Sequence, residues 1–210
     1  MSVREEVADA LRGAIVSGEM KPGELYSAPG LAERFGISAT PVREAMLDLV
    51  KQGLVEVVRN KGFKVTDISE GDLDQITQIR ELLEPPIAAQ AVTLISEKEL
   101  AALRNLSAAI VDAAARSDLI NYVNADREFH VRLLGASGNQ RLVRIVEELR
   151  AQTRLYGLSA LAASGRLVAS AQEHETMCDL IEAGRAEELR DLMRTHIGHI
   201  RREWAGRDSE

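Results

Sequence analysis

Apolar residues recur along this chain with two different periods, and the change between them marks out its elements. Val3, Val7, Leu11, Ala14 and Ile15 fall on one face of a predicted helix that Gly18 ends, and Lys21-Pro22-Gly23 reads as a turn. A short helix from Pro29 to Phe35 presents Leu31 and Phe35, and Gly36 closes it. A third helix takes Thr40 as N-cap and Pro41 as its first residue, where a missing N–H costs nothing. Its buried stripe is Val42, Ala45, Met46, Leu49 and Val50, which leaves Arg43, Glu44, Asp48 and Lys51 outward. Past Gln52-Gly53 the period shortens to that of strands. Residues 55–58 and 63–66 are β-prone runs joined by Arg59-Asn60-Lys61-Gly62, a hairpin with a basic tip. Three helices and a hairpin within residues 1–68 describe a winged helix-turn-helix.

From residue 69 onward strand alternation disappears. Helical spacing predicts six segments, roughly 70–94, 97–115, 118–135, 139–162, 166–183 and 186–204. They are separated at Ile95-Ser96, Arg116-Ser117, Gly135 to Gly138, Ser164-Gly165 and Gly184. Short loops between long helices make antiparallel neighbours, so residues 69–210 read as an all-α bundle whose sites are built inward from facing helices. The expected architecture is mainly α: a winged helix-turn-helix followed by that bundle.

Composition narrows the setting. No apolar run reaches membrane-spanning length and the first residues carry no apolar signal core, so the expected place is the cytoplasm, with no membrane partner. The single cysteine, Cys178, allows no internal disulfide and reads as a small buried hydrophobe. A net charge of −7 first argues against nucleic acid, but its distribution reverses the point. Residues 34–64 hold six basic and three acidic side chains, while the acid excess lies in the second half. Phosphate responds to local potential.

On that local surface the third helix has specific chemistry. An arginine in the first turn of a recognition helix, Arg43, can donate a bidentate pair to guanine O6 and N7. The N–H groups at the helix start near Thr40 can receive a phosphate oxygen. The plain alternative is an amphipathic surface helix with Arg43 solvated.

In the bundle, polar residues interrupt the stripes that should form the core. Leu119, Val123, Asp126, His130 and Leu133 put an acid and a histidine one turn apart on one face. The series Leu167, Ala171, His174, Cys178, Ile181 and the series Leu189, Leu192, His196, Ile200 carry one histidine each. His174 and His196 lie eleven residues either side of Arg185, so an antiparallel hairpin sets them level. One carboxylate and three imidazoles form a divalent-metal ligand set, with zinc–ligand distances expected near ~2.0–2.2 Å. Zinc is the first choice, and nickel, cobalt and manganese accept the same donors. Any one of these histidines alone reads as a hydrogen-bonded core residue. Three together with an acid are hard to accommodate without an ion, because unpaired buried charge is expensive. His199, one turn past His196, is a competing position. Arg80 falls on the inward series Leu73, Ile76, Arg80, Leu83, Ile87 and can neutralise a small carboxylate, or else pair with Glu84 at i, i+4. Arg150 and Arg154 are further candidates, whose ordinary reading is a solvated face.

The front segment resembles the DNA-binding domain of the GntR family of bacterial transcription regulators. The resemblance lies in Leu11-Arg-Gly-Ala-Ile15, Pro22-Gly-Glu24, Leu31-Ala-Glu33, Gly36-Ile-Ser38, Thr40-Pro-Val-Arg-Glu-Ala45 and Gly53-Leu-Val55. It implies that Thr40, Arg43 and the wing glycine Gly62 contact operator DNA, and Ser38 and Lys61 complete the candidate set. Ala39 stands where the family usually has arginine, and some members place another arginine near Pro29, so either the preferred operator departs from the common one or specificity is weaker. The rear segment is similar to the FCD effector-binding domain of the FadR-type branch, through Arg80-Glu-Leu-Leu-Glu84, Asp126-Arg-Glu-Phe-His130, Gly138-Asn139, His174 and His196. That resemblance places metal ligands at Asp126, His130, His174 and His196, and six helices rather than seven is closer to the VanR subgroup.

The combined expectation is a transcription regulator, not an enzyme, that works as a homodimer on double-stranded operator DNA, with repression as the expected sense. A small carboxylate effector bound at the metal-containing bundle would modulate it. A metalloenzyme is the rival of another class, with Glu128 and Glu173 as the acids nearest the ligands in sequence. A regulator whose metal is structural, or is itself the signal, is the third reading.

Overall fold

A computed structural model of the protein describes residues 3–16, 18–67, 69–153 and 165–199. The chain divides into two compact units, Met1–Ser69 and Glu70–Glu210. The first contains α1 (Val3–Val16), β1 (Leu25–Tyr26), α2 (Ala28–Phe35), α3 (Ala39–Lys51), β2 (Val55–Val58) and β3 (Gly62–Val65). Leu11, Val42, Ala45, Met46, Leu49 and Val65 are sealed from solvent, and α1 packs on α3 and α3 on β2 through the stripes their spacing foretells. Val3 and Phe35, both expected on inward stripes, fall outside that core: Val3 is 56% exposed and Phe35 is 38% exposed beside the turn.

Local chemistry fixes the path between α2 and α3. Ser27 caps α2 by accepting from the Gly30 N–H at 3.1 Å, and Gly36 takes the left-handed conformation (φ 66°) that ends it. The third helix begins two residues earlier than its sequence suggests. Ala39 is its first residue and Ser38, not Thr40, is the N-cap, without a side-chain capping bond. Pro41 then sits third, still within the first turn, where no N–H is required.

The sheet has three strands in the order β1-β3-β2, all antiparallel. The hairpin turns through Arg59-Asn60-Lys61, with Asn60 at φ 61° and the Lys61 N–H donating to the Val58 carbonyl at 3.0 Å. Strand β1 is only two residues long and follows the Lys21-Pro22-Gly23 turn, so sequence periodicity could not register it. It packs so closely on β3 that a Cβ at Gly62 would lie 2.4 Å from the Tyr26 carbonyl oxygen, and Gly62 has φ 129°. Glycine is a steric requirement there.

The second unit is helical throughout its described residues: α4 (Glu70–Ala91), α5 (Glu97–Ala115), α6 (Leu119–Gly135), α7 (Gln140–Thr153), α8 (Leu167–Glu182) and α9 (Ala186–His199). Residues 154–164, which the fourth predicted helix enters, lie outside the described residues, as do Arg154 and Ile200. Ser96 caps α5 by accepting from Glu99 N–H at 3.2 Å, Asp118 caps α6 through Asn121 N–H at 3.1 Å, and the Asn139 side chain accepts from Leu142 N–H at 3.1 Å. Helix α4 runs through Pro85-Pro86, directly after Glu84. Packing links α5 to α6 and α8, α9 to α4 and α8, and α7 to α4 and α6, so α4, α6, α8 and α9 turn their inner faces to one interior. No helix among the described residues is long and apolar enough to cross a membrane.

Candidate metal centre and nucleic-acid interface

Four side chains from three helices converge in the interior of the helical unit. Asp126 and His130 come from α6, His174 from α8 and His196 from α9. All four are buried, and one donor atom from each lies within 4.8 Å of every other. His130 Nε2 is 3.2 Å from His174 Nε2, and Asp126 Oδ1 is 3.2 Å from His174 Nε2 and 3.6 Å from His130 Nε2. Ligands at 2.0–2.2 Å from a tetrahedral centre stand about 3.4 Å apart, so these separations suit one small divalent ion.

The outer nitrogens show how the rings are aimed. His174 Nδ1 donates to the Ala171 carbonyl at 3.0 Å, and His196 Nδ1 donates to Glu173 Oε2 at 2.6 Å, so each turns Nε2 towards the cluster. His130 Nδ1 is buried without a hydrogen-bond partner among the described residues. Burial pushes the His130 imidazole well below its ordinary value, Arg150 adding to the effect, and burial with His174 nearby does the same to His196. Both rings are therefore neutral at pH 7, which is the ligating form. Burial would raise the Asp126 carboxyl, but Arg150 and His130 outweigh it and hold the group well below the usual carboxylate range.

Behind the ligands lies a buried charge network. Arg150 donates to Asp126 Oδ2 at 3.0 Å and to Glu84 Oε2 at 2.8 Å. Arg80 donates to Glu84 Oε1 at 2.5 Å and approaches Thr153 Oγ1 at 3.4 Å. Arg80 thus adopts its i, i+4 pairing with Glu84. Arg150 is 5% exposed, which excludes the solvated-face reading. Because Arg150 occupies Oδ2, Asp126 offers Oδ1 to the cluster. Glu84 and Glu173 are the participants that the periodicity of apolar residues did not single out. Both sit beside the key positions, Glu84 four residues after Arg80 and Glu173 next to His174, and that adjacency was the signal available.

The competing residues separate cleanly. His199 Nε2 lies 3.3 Å from Glu173 Oε1, so it shares the carboxylate that orients His196 and stays outside the ligand group. Glu128 is exposed and pairs with Arg132 at 2.9 Å. Neither Glu128 nor Glu173 is left free as a base over the cluster.

In the first unit the cations divide into engaged and free. Arg4, Arg12, Arg34, Lys51 and Lys64 are all held by acids. Arg43, Arg59 and Lys61, like Lys21, are exposed and form no ion pair among the described residues. Arg43 projects from the first turns of α3, beyond exposed Ser38, Ala39 and Thr40, and Lys61 stands at the hairpin tip next to half-buried Gly62. Apart from Lys21 in the turn before β1, the free positive charge is therefore carried by the start of α3 and by the wing.

Comparison with known proteins agrees with this division. Residues 3–65 match the family described as "Bacterial regulatory proteins, gntR family", and residues 75–199 match the FCD domain. The chain is 32% identical to the Escherichia coli HTH-type transcriptional regulator McbR over 71% of its own length and 67% of that protein's. It is 28% identical to the Bacillus subtilis HTH-type transcriptional regulator LutR over 89% and 94% of the two chains. A solved structure, E. coli McbR/YncC, superposes with a TM-score of 0.70 at 27% identity, covering 95% of this chain and 97% of that one.

Proposed function

The chain belongs to the GntR family of bacterial regulatory proteins and carries an FCD domain, and from that premise we propose a metal-containing, acid-responsive regulator that binds operator DNA as a homodimer in the cytoplasm and represses transcription. Relatives such as McbR and LutR are transcription regulators rather than enzymes, which supports a regulator over a metalloenzyme. In this reading Arg43 reads a guanine edge, Ser38, Thr40 and the first N–H groups of α3 hold phosphate, and Lys61 and Gly62 carry the wing to the flanking groove. Asp126, His130, His174 and His196 hold the ion, zinc first, with nickel, cobalt or manganese as alternatives.

The observation that carries the proposal is the convergence of four buried donors on one point inside the FCD domain. When bound, the ion supplies a Lewis-acid centre for a small carboxylate. Arg150 and Arg80 are the cations beside it, and Arg154, outside the described residues, is the third candidate. A ligand's influence on DNA binding is bounded by its differential affinity for two arrangements of the bundle. Closed four-donor geometry, with ligand spacings of 3.2 and 3.6 Å, favours a second reading in which the metal is structural. The finer subgroup proposed is VanR-like, on six helices.

The test is elemental analysis of protein purified without chelator, followed by operator binding with and without chelator and with a panel of small carboxylic acids. We expect about one metal per chain, and acid-dependent release of operator only while metal is bound. A metal-free wild type that still releases operator when the acid is added would overturn the sensing role. Metal that stabilises the fold without altering acid or operator binding would establish the structural reading.

A further inference from the structure

The chain has four histidines, and all of them stand in one file inside the helical unit. Ring centroids are 6.4 Å apart between His199 and His196, 4.8 Å between His196 and His174, and 5.2 Å between His196 and His130. Burial grows along the same line: the His199 side chain is 17% exposed and that of His196 8%, while His174 and His130 are sealed. The three inner rings are accounted for as ligands. His199 is left over, one turn beyond His196 at the end of α9, and Glu173, the half-buried carboxylate it meets, sits on α8 beside His174.

Burial of the ligand set raises the question of access. An ion on its way to four buried donors must give up its water, and apolar side chains offer nothing in exchange. The approach past Asp126 disfavours a cation, because Arg150 occupies Oδ2 and sets a guanidinium in the way. The seam between α8 and α9 carries a carboxylate and the right donors instead. Glu173 Oε1 lies 3.3 Å from His199 Nε2, close to the roughly 3.4 Å that separates two ligands of one tetrahedral ion. Glu173 Oε2 is at the same time 2.6 Å from His196 Nδ1, so one carboxylate touches the rim imidazole and a ligand imidazole together. A divalent cation can replace the proton shared by Glu173 and His199, the proton leaving to solvent. We propose that Glu173 and His199 form an entry site for the metal centre, where a divalent cation exchanges water for protein donors before it passes by way of His196 to the buried set. His199 then governs how fast the centre fills and empties, and Glu173 governs both that rate and the orientation of His196. The inference rests on the metal-centre reading above and gives it a route.

The experiment uses the full chain stripped of metal by chelator, with cobalt(II) as the probe and its visible absorbance reporting ligation. Stopped-flow mixing gives the loading rate, transfer into excess chelator the release rate, and competition with a chelator of known affinity the dissociation constant. His199→Gln keeps a donor for Glu173 but removes the imidazole. Its loading and release are both expected to slow at least about tenfold while the dissociation constant holds within about twofold, because an entry site alters the barrier and not the end states. His199→Cys supplies another ligand at the rim and is expected to load at close to the wild-type rate. Glu173→Gln is expected to slow loading and, by loosening His196, to weaken binding about 10–100-fold. Circular dichroism of each metal-free variant reports that the bundle is intact. Loading of His199→Gln as fast as wild type overturns the proposal, and so does weaker binding at an unchanged loading rate, which would make His199 a ligand. A folded His199→Cys that loads as slowly as His199→Gln overturns it too. A wild type that binds no cobalt sinks the metal-centre reading and this route together, whereas normal binding with unaltered rates sinks the route alone.

Discussion

Glu84 holds two buried guanidinium groups, Arg80 and Arg150, and through Arg150 it steadies the Asp126 carboxylate. Burial would raise its carboxyl, but the two arginines prevail and lower it from 4.5 to about 2. A depressed carboxylate stabilises the fold fully above its unfolded value, and that contribution is lost as pH falls from there through about 2. Glu84→Gln leaves both arginines short of a counter-charge and is expected to destabilise the bundle by about 3–5 kcal/mol at pH 7, measured by denaturant unfolding. The difference from wild type should shrink between pH 4.5 and 2 and be constant above that range; equal stabilities at pH 7 would remove Glu84 from its central place. Arg43 is the opposite case, exposed and without an ion pair. Arg43→Ala is expected to abolish specific operator binding while leaving the melting temperature within a degree or so. Asp126 and the three histidines were legible in the sequence because each breaks an apolar stripe. Arg150 was legible only as a candidate partner for a carboxylate effector, since an arginine on a helix is ordinarily solvated and only the fold reveals two carboxylates facing it.

Among the elements, the long helices announced themselves through their period and caps, and the places that escaped are those where distant backbone decides. The start of α3 at Ala39 depends on the Gly36 turn as much as on the Thr40-Pro41 pair. Strand β1 exists because β3 passes within hydrogen-bonding reach of Leu25 and Tyr26, a contact across some forty residues that no local pattern encodes. Gly62 joins the two observations. Its sequence context marks it as a wing residue, and the structure adds that a methyl group would collide with the Tyr26 carbonyl. Gly62→Ala is therefore expected to destabilise the winged unit by about 1–3 kcal/mol by prising β1 from β3. Thermal melts would show the loss without any DNA present, whereas a residue needed only for contact would leave the melt unchanged.

At the scale of the chain, two units have separate cores, and among the described residues the four-donor cluster lies in the rear one. An ion bound there stabilises the folded bundle through its preference for the native ligand set, by about 4 kcal/mol when free metal exceeds its dissociation constant a thousandfold. For a unit of this size each kcal/mol moves the transition by about 2–4 °C or somewhat more, so chelation is expected to lower the bundle's transition by about 10 °C. The winged unit should melt where it did before, because its stability lies in the stripe of α1, α3 and the sheet. Scanning calorimetry with and without chelator checks both halves of this expectation. A single transition that shifts as a whole would mean that the units unfold together, and an unmoved bundle would mean that the histidines and Asp126 satisfy one another without an ion. His174→Ala then separates these outcomes: it removes one donor from the cluster, so it should abolish the chelator-sensitive shift while leaving the winged unit's transition in place.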